Sequence, residues 1–259
     1  MKRVVFNQKG GVGKSTIVCN LAAISAYRGA STLVVDLDGQ ANASQYLLGE
    51  DADEIEPTVA GMFEKMLKRF VPSVARQYVV TTPYENLDLM VASPELSDLQ
   101  PKLEAKHKIY KLRSALEALE DQYDEIYIDT PPRLNFYSLS ALIAADNCLI
   151  PFDCDDFSRR ALYTLLDNLE EVREDHNDDL WLEGIIVNHF QSRANLPQRV
   201  VEELRSEKLP VLKPPISSSI IVKESHEAAA PLINFAPSHK VTQEYQDVFD
   251  AMRRRRRPR

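Results

Sequence analysis

A short apolar strand that runs into a glycine-rich loop and then a helix constrains this chain more than any other feature. The stretch is Val4-Val5-Phe6-Asn7-Gln8-Lys9-Gly10-Gly11-Val12-Gly13-Lys14-Ser15-Thr16, with Ile17, Leu21 and Ile24 following at helical spacing. Glycines let successive backbone N–H groups turn inward as an anion nest, and a helix opening at Lys14 adds the positive end of its dipole. Lys14 would reach the β and γ phosphates of a nucleoside triphosphate, and the Ser15 hydroxyl would bind Mg²⁺. Strand, loop, hydroxyl and helix arrive in the order that a phosphate cradle demands.

The rest of the chain alternates short β-rich runs with longer segments of helical period. That is the pattern of an α/β fold, a doubly wound, mostly parallel sheet with helices on both faces. Strands are predicted over Lys2 to Asn7, Thr32 to Asp36, Leu87 to Val91, Glu125 to Asp129, Asn147 to Phe152, Glu183 to Asn188 and Val211 to Lys213. Helices are predicted over Lys14 to Tyr27, Val59 to Arg69, Ile109 to Leu119, Tyr137 to Ala145, Arg160 to Arg173, Pro197 to Ser206 and Lys240 to Met252. No repeat and no Gly/Ser linker divides it, so the expectation is one nucleotide-binding domain over 1–252 and a basic tail over 253–259.

Composition narrows the partners. Apolar stretches are strand-sized, far from the roughly 20 residues of a membrane span. Met1-Lys2-Arg3 leads directly into the first strand, which leaves no room for a signal peptide and points to the cytoplasm. Cys19, Cys148 and Cys154 form no C-x-x-C pair and read as reduced core thiols. The net charge is -8, and six arginines among the last seven residues contribute +6, leaving -14 on the body. An acidic globule of this kind does not coat nucleic acid over its whole surface, although a local basic patch stays open.

The ordinary phosphate-loop pattern has glycine at position 8, where this chain has Gln8, and it lacks the early Lys9. Lys9-Gly10-Gly11-Val12-Gly13-Lys14-Ser15 resembles the deviant Walker A box of the ParA/MinD family of ATPases, and three further segments extend the likeness. Val34-Val35-Asp36-Leu37-Asp38-Gly39-Gln40-Ala41-Asn42 is similar to that family's D-x-D-P-Q-x-N box, with Gly39 in place of proline; by themselves the two acids read equally well as a strand-end turn. Glu125-Ile126-Tyr127-Ile128-Asp129 followed by Thr130-Pro131-Pro132 looks like its Walker B strand and second switch, although Arg133-Leu134-Asn135 departs from the usual small residues. Asn188 and Pro215 stand where relatives hold the adenine base, and Asn188 also reads as a polar strand cap.

The resemblance implies an ATP hydrolase that uses ATP and Mg²⁺ and closes into a homodimer on ATP. Residues 9 to 16, from Lys9 to Thr16, would form the nucleotide cradle. Ser15, Asp38 and Asp129 would serve the metal, Asp38 would position the attacking water, and Lys9 would cross to the partner's nucleotide. It further implies non-specific DNA binding on the nucleoid and hydrolysis stimulated by a ParB-like or cargo-adaptor protein. Arg193, Arg199 and Lys223 are the DNA-contact candidates, together with the tail residues Arg253, Arg254, Arg255, Arg256 and Arg257, while Ile221 occupies a position that is basic in several relatives. The chain starts at its first strand, so no operator-binding domain is expected before it. The rival expectation is a MinD-like membrane ATPase, for which Val241, Tyr245, Val248, Phe249 and Met252 would form a lipid-facing stripe, although a stripe of this kind is more often packed on the sheet than buried in lipid.

Overall fold

The structure is a computed structural model that describes residues 1–68, 71–154 and 158–255. Its first half comprises β1 (Lys2–Val5), α1 (Lys14–Tyr27), β2 (Thr32–Asp36), α2 (Asn42–Leu48), α3 (Val59–Leu67), β3 (Val80–Thr81), β4 (Leu87–Met90), α4 (Leu96–Ala105) and α5 (Lys111–Glu117). The second half comprises β5 (Glu125–Asp129), α6 (Phe136–Ala144), β6 (Asn147–Asp153), α7 (Ser158–Asp175), β7 (Trp181–Asn188), α8 (Asn195–Ser206), α9 (Ile220–Glu227), α10 (Leu232–Phe235) and α11 (Lys240–Arg254).

The strands form one sheet in the order β3-β4-β2-β5-β1-β6-β7, parallel throughout except for the β3–β4 pair at the edge. Alternate residues of each strand feed two cores. Val4, Phe6, Leu33, Val35, Ile126 and Ile128 belong to one, packed under α3 to α8. Val5, Val34, Tyr127, Leu149 and Ile186 belong to the other, packed under α1, α2, α10 and α11. Burial on both faces is why these strands read as unbroken apolar runs. After β1 the chain crosses to β2 on one side and later returns to place β6 on the other, so β1 ends at a reversal of strand order, where such sheets leave a crevice for ligands.

Several expectations change. Val211 to Lys213 makes only an isolated bridge from Val211 to Ile185, because Pro210, Pro214 and Pro215 bracket it and proline cannot donate to a ladder. Short α2, α9 and α10 and the edge strand β3 carry too little periodicity to register, and α4 contains Pro101. Asn135 caps α6, its carboxamide oxygen accepting from the Tyr137 and Ser138 amides at 3.1 Å each, so the segment after Pro132 ends in a built helix start. The stripe Val241, Tyr245, Val248, Phe249 and Met252 packs on the sheet in the core beneath α11 rather than facing lipid. Among the described residues no helix is long and apolar enough to cross a membrane.

Candidate active site

The phosphate loop leaves β1 between two supports. Asn7 donates from its side chain to the Pro151 carbonyl of β6 at 2.7 Å and accepts the Lys9 amide at 2.9 Å. Gly11 and Gly13 take φ of 75° and 88°, the left-handed region that turns the backbone N–H groups inward. On the other side, Asn188 at the end of β7 donates to the Val12 carbonyl at 2.9 Å, and a Cβ on Gly13 would lie 2.3 Å from that same amide nitrogen. Asn188 therefore braces the loop, a role that its position as a strand-end polar residue only hinted at.

The two lysines of the loop have different fates. Lys14 is 7% exposed and donates to the Lys9 carbonyl at 3.2 Å, whereas Lys9 is exposed at the outer lip. Burial pushes the Lys14 ammonium below its ordinary value of 10.5, against the opposing pull of the Asp129 and Asp38 carboxylates. A cation held in a partly dry pocket beside acids is arranged to meet an anion.

Asp36 and Asp129 end adjacent strands in direct register. Both are fully buried, and both are pushed above the usual carboxylate range, first by burial and then by neighbouring carboxylates, with Asp36 at about 6. Their surroundings separate them. Asp36 accepts from the Ser44 amide at 2.9 Å, the Ser44 hydroxyl at 2.8 Å and the Asp38 amide at 3.1 Å, and Ser44 in turn accepts the Ala92 amide at 3.0 Å. Asp36 thus builds the loop. Asp129 accepts the Thr130 amide on Oδ1 at 3.0 Å, and the Ser15 hydroxyl is near enough to favour the ionised carboxylate. Its Oδ2 is buried with no hydrogen-bond partner.

An orphaned carboxylate oxygen beside a serine hydroxyl is a hard-oxygen donor set, which fits a small divalent cation carried in with phosphates. Among the described residues no three His, Cys, Asp or Glu side chains cluster as a cage. Asp38 is half-buried at the mouth, its Oδ1 accepting the Gln40 amide at 3.1 Å, close enough to Lys14 and Asp129 to act on both electrostatically. Pro132, after the Asp129 strand, comes within 3.9 Å of where a Gly10 Cβ would sit, so the segment after β5 abuts the loop.

The other candidates are dispersed. Pro215 is half-buried in the stretch after Val211, where the Ile216 amide bonds to the Val187 carbonyl at 2.8 Å beside Asn188. Arg193 precedes α8 and is exposed; Arg199 on α8 lies 3.9 Å from Glu203; Lys223 is exposed on α9. Helices α8 and α9 pack against opposite faces of the sheet. Arg253 lies 3.7 Å from Glu125 and over the Phe249 ring, and Arg255 lies over the Trp181 ring, so the first tail residues are docked at the lower edge of the sheet. Arg254 is exposed, and Arg256 and Arg257 lie outside the described residues. Cys19, Cys148 and Cys154 are buried and form no disulfide with one another. Thr16, read only as part of the cradle, also meets His226 of α9, a residue no motif marks.

Residues 2–182 match the family described as "AAA domain". The chain is 38% identical over 202 residues to the chromosome partitioning protein ParA of Myxococcus xanthus, covering 78% of this chain and 69% of that protein. It is 32% identical to the sporulation initiation inhibitor protein Soj of Bacillus subtilis, covering 94% of each. Among solved structures it superposes on cobyrinic acid a,c-diamide synthase from Mycobacterium smegmatis, with bound ADP and magnesium, at a TM-score of 0.82 and 28% identity, covering 98% of this chain and 94% of that one.

Proposed function

The chain belongs to the ParA/Soj family of P-loop ATPases, and from that premise we propose that it is an ATP hydrolase whose ATP-bound form is a homodimer that binds DNA and positions a cargo. ATP and Mg²⁺ are its cofactors, as the ADP and magnesium in the synthase structure support. Ser15 and Asp129 would hold the Mg²⁺, with Asp38 nearby, and the ion would neutralise charge on the transferring phosphate. Lys14 and the amides from Gly10 to Thr16 bind and orient the phosphates. Asp38 aligns the attacking water, while Asn188 and Pro215 flank the base.

The observation that carries the dimer is the exposed Lys9 at the lip of a cradle whose other lysine is buried. A cation supplied across an interface is worth roughly 10³ to 10⁵ in rate, so making it depend on a second subunit turns an ATPase into a switch. DNA contact through Arg193, Arg199, Lys223 and the arginine tail would place the dimer on the nucleoid, and a ParB-like or adaptor protein would trigger hydrolysis and release. This reading puts the protein in the cytoplasm. The buried α11 stripe disfavours the membrane-bound alternative.

Sedimentation with Mg²⁺-ATP tests the switch. Lys9→Ala should still bind ATP yet sediment as a monomer, whereas Asp38→Ala should remain a dimer because hydrolysis slows at least tenfold. A Lys9→Ala protein that dimerises normally, or Asp38→Ala with unaltered turnover, would remove these residues from their roles.

A further inference from the structure

A buried polar cluster joins α1, α2 and α9 behind the phosphate loop. The His226 ring stacks on Tyr46 with centroids 3.9 Å apart and planes 12° from parallel. Its Nε2 lies 3.0 Å from the Thr16 hydroxyl. Tyr46 bonds to the Ser225 hydroxyl at 2.8 Å and accepts from Asn20 at 3.2 Å; Asn20 also donates to the Thr16 carbonyl at 2.8 Å and accepts the Leu232 amide at 2.8 Å. Tyr46, Asn20 and Ser225 are all buried.

These bonds matter because α9 buries few side chains of its own. Ser225 is its one fully buried residue, and Ile221 and Val222 pack only partly on the core. Hydrogen bonds are directional where apolar contacts slide, so the helix follows the groups that it bonds to. Thr16 is in the first turn of α1, whose amides have no acceptor within the helix and face the phosphate cradle. One residue thus offers its amide to the cradle and its hydroxyl to α9.

We propose that His226 is a positioning residue of the ATP site: it seats Thr16 in the first turn of α1 and so couples occupancy of the cradle to the placement of α9, which carries Lys223. The inference rests on the ATPase reading above. Burial holds the His226 ring below its ordinary value of 6.5, so near neutral pH it meets Thr16 as a neutral imidazole.

The test uses the full chain, a fluorescent ATP analogue with Mg²⁺, and amide hydrogen exchange. His226→Phe keeps a flat ring on Tyr46 but has no nitrogen for Thr16; His226→Gln restores a hydrogen-bonding group. Wild-type protein should bind the analogue and slow exchange across residues 220–227 when it does. His226→Phe should bind about fivefold more weakly, the size of one lost hydrogen bond, and lose that protection. His226→Gln should recover to within about twofold. A His226→Phe protein with wild-type affinity and α9 protection overturns the inference. Were that variant misfolded by circular dichroism, Thr16→Val severs the same contact from the other side, and retained α9 protection on analogue binding overturns it equally. Failure of the wild-type chain to bind the analogue would sink the ATPase reading and this inference with it, whereas wild-type binding with unaffected variants sinks this inference alone.

Discussion

At the scale of single residues, the phosphate loop depends on two positions that no side chain could fill at equal cost. Gly13 has φ 88° and lies against Asn188, whereas Gly11 has φ 75° and nothing within 4 Å of where its Cβ would be. A non-glycine residue in this backbone region costs on the order of 1–3 kcal/mol. Gly11→Ala should therefore weaken ATP binding by the strain alone, about tenfold. Gly13→Ala adds a collision with the amide that supports Val12 and should weaken it by more than about a hundredfold. In an Asn188→Ala background the collision disappears, so Gly13→Ala should cost roughly what Gly11→Ala does; titration calorimetry on the wild type, the three single variants and the Gly13→Ala/Asn188→Ala double variant reads this directly. Additive losses would show that Asn188 is not the obstacle. The motif spells out the glycines, but it says nothing of Asn188, whose contact with the loop arises 176 residues along the chain.

At the scale of elements, one buried ionic cluster fastens the lower edge of the sheet. Arg3 of β1 donates to both oxygens of Glu183 on β7, at 2.7 and 3.2 Å, and lies 3.0 Å from Glu125 of β5. Ser25 of α1 and Tyr127 also bond to Glu125, at 3.0 and 2.6 Å. Removing one partner of a buried pair leaves charge without compensation and costs about 3–5 kcal/mol. Arg3→Met should lower Tm on the order of 10 °C, and an unchanged melting curve would show the cluster to be neutral. Burial alone would raise the Glu125 carboxyl, but the Arg3 guanidinium, the two hydroxyls and Arg253 hold it below its ordinary value of 4.5. A carboxyl held low when folded stabilises above its unfolded value and loses that contribution as the pH falls through its folded one. Stability should accordingly drop below about pH 4.5. Glu125→Gln should flatten that acid limb, measured as urea midpoint against pH. The strands were legible as apolar runs because both faces are buried; the pairing of Arg3 with Glu183, 180 residues away, carries no local signal.

At the scale of the whole molecule, charge is segregated. The body is acidic and the chain ends in arginines, yet Arg253 and Arg255 are already engaged with Glu125, Phe249 and Trp181. Only the remaining arginines of the tail would then add to a DNA surface. Each phosphate contact contributes about 0.9 to the slope of log affinity against log salt. Replacing Arg254, Arg256, Arg257 and Arg259 with serine should reduce that slope by about 3 to 4 in ATP-dependent DNA binding. An unaltered slope would confine DNA contact to other residues such as Arg193, Arg199 and Lys223.

The main parallel strands, the longer helices and the phosphate loop with Ser15 at its end are determined by local sequence, because each depends on residues adjacent in the chain or on a period of two or 3.6. Which of two neighbouring aspartates is spent on the loop and which keeps an oxygen open was decided only by the fold, since Ser44 reaches Asp36 while Oδ2 of Asp129 has no partner. The same holds for Asn188 beneath the loop and His226 beside Thr16. Each of these depends on contacts between segments distant in sequence, whose pairing is set by how the sheet closes and carries no signature in the neighbouring residues.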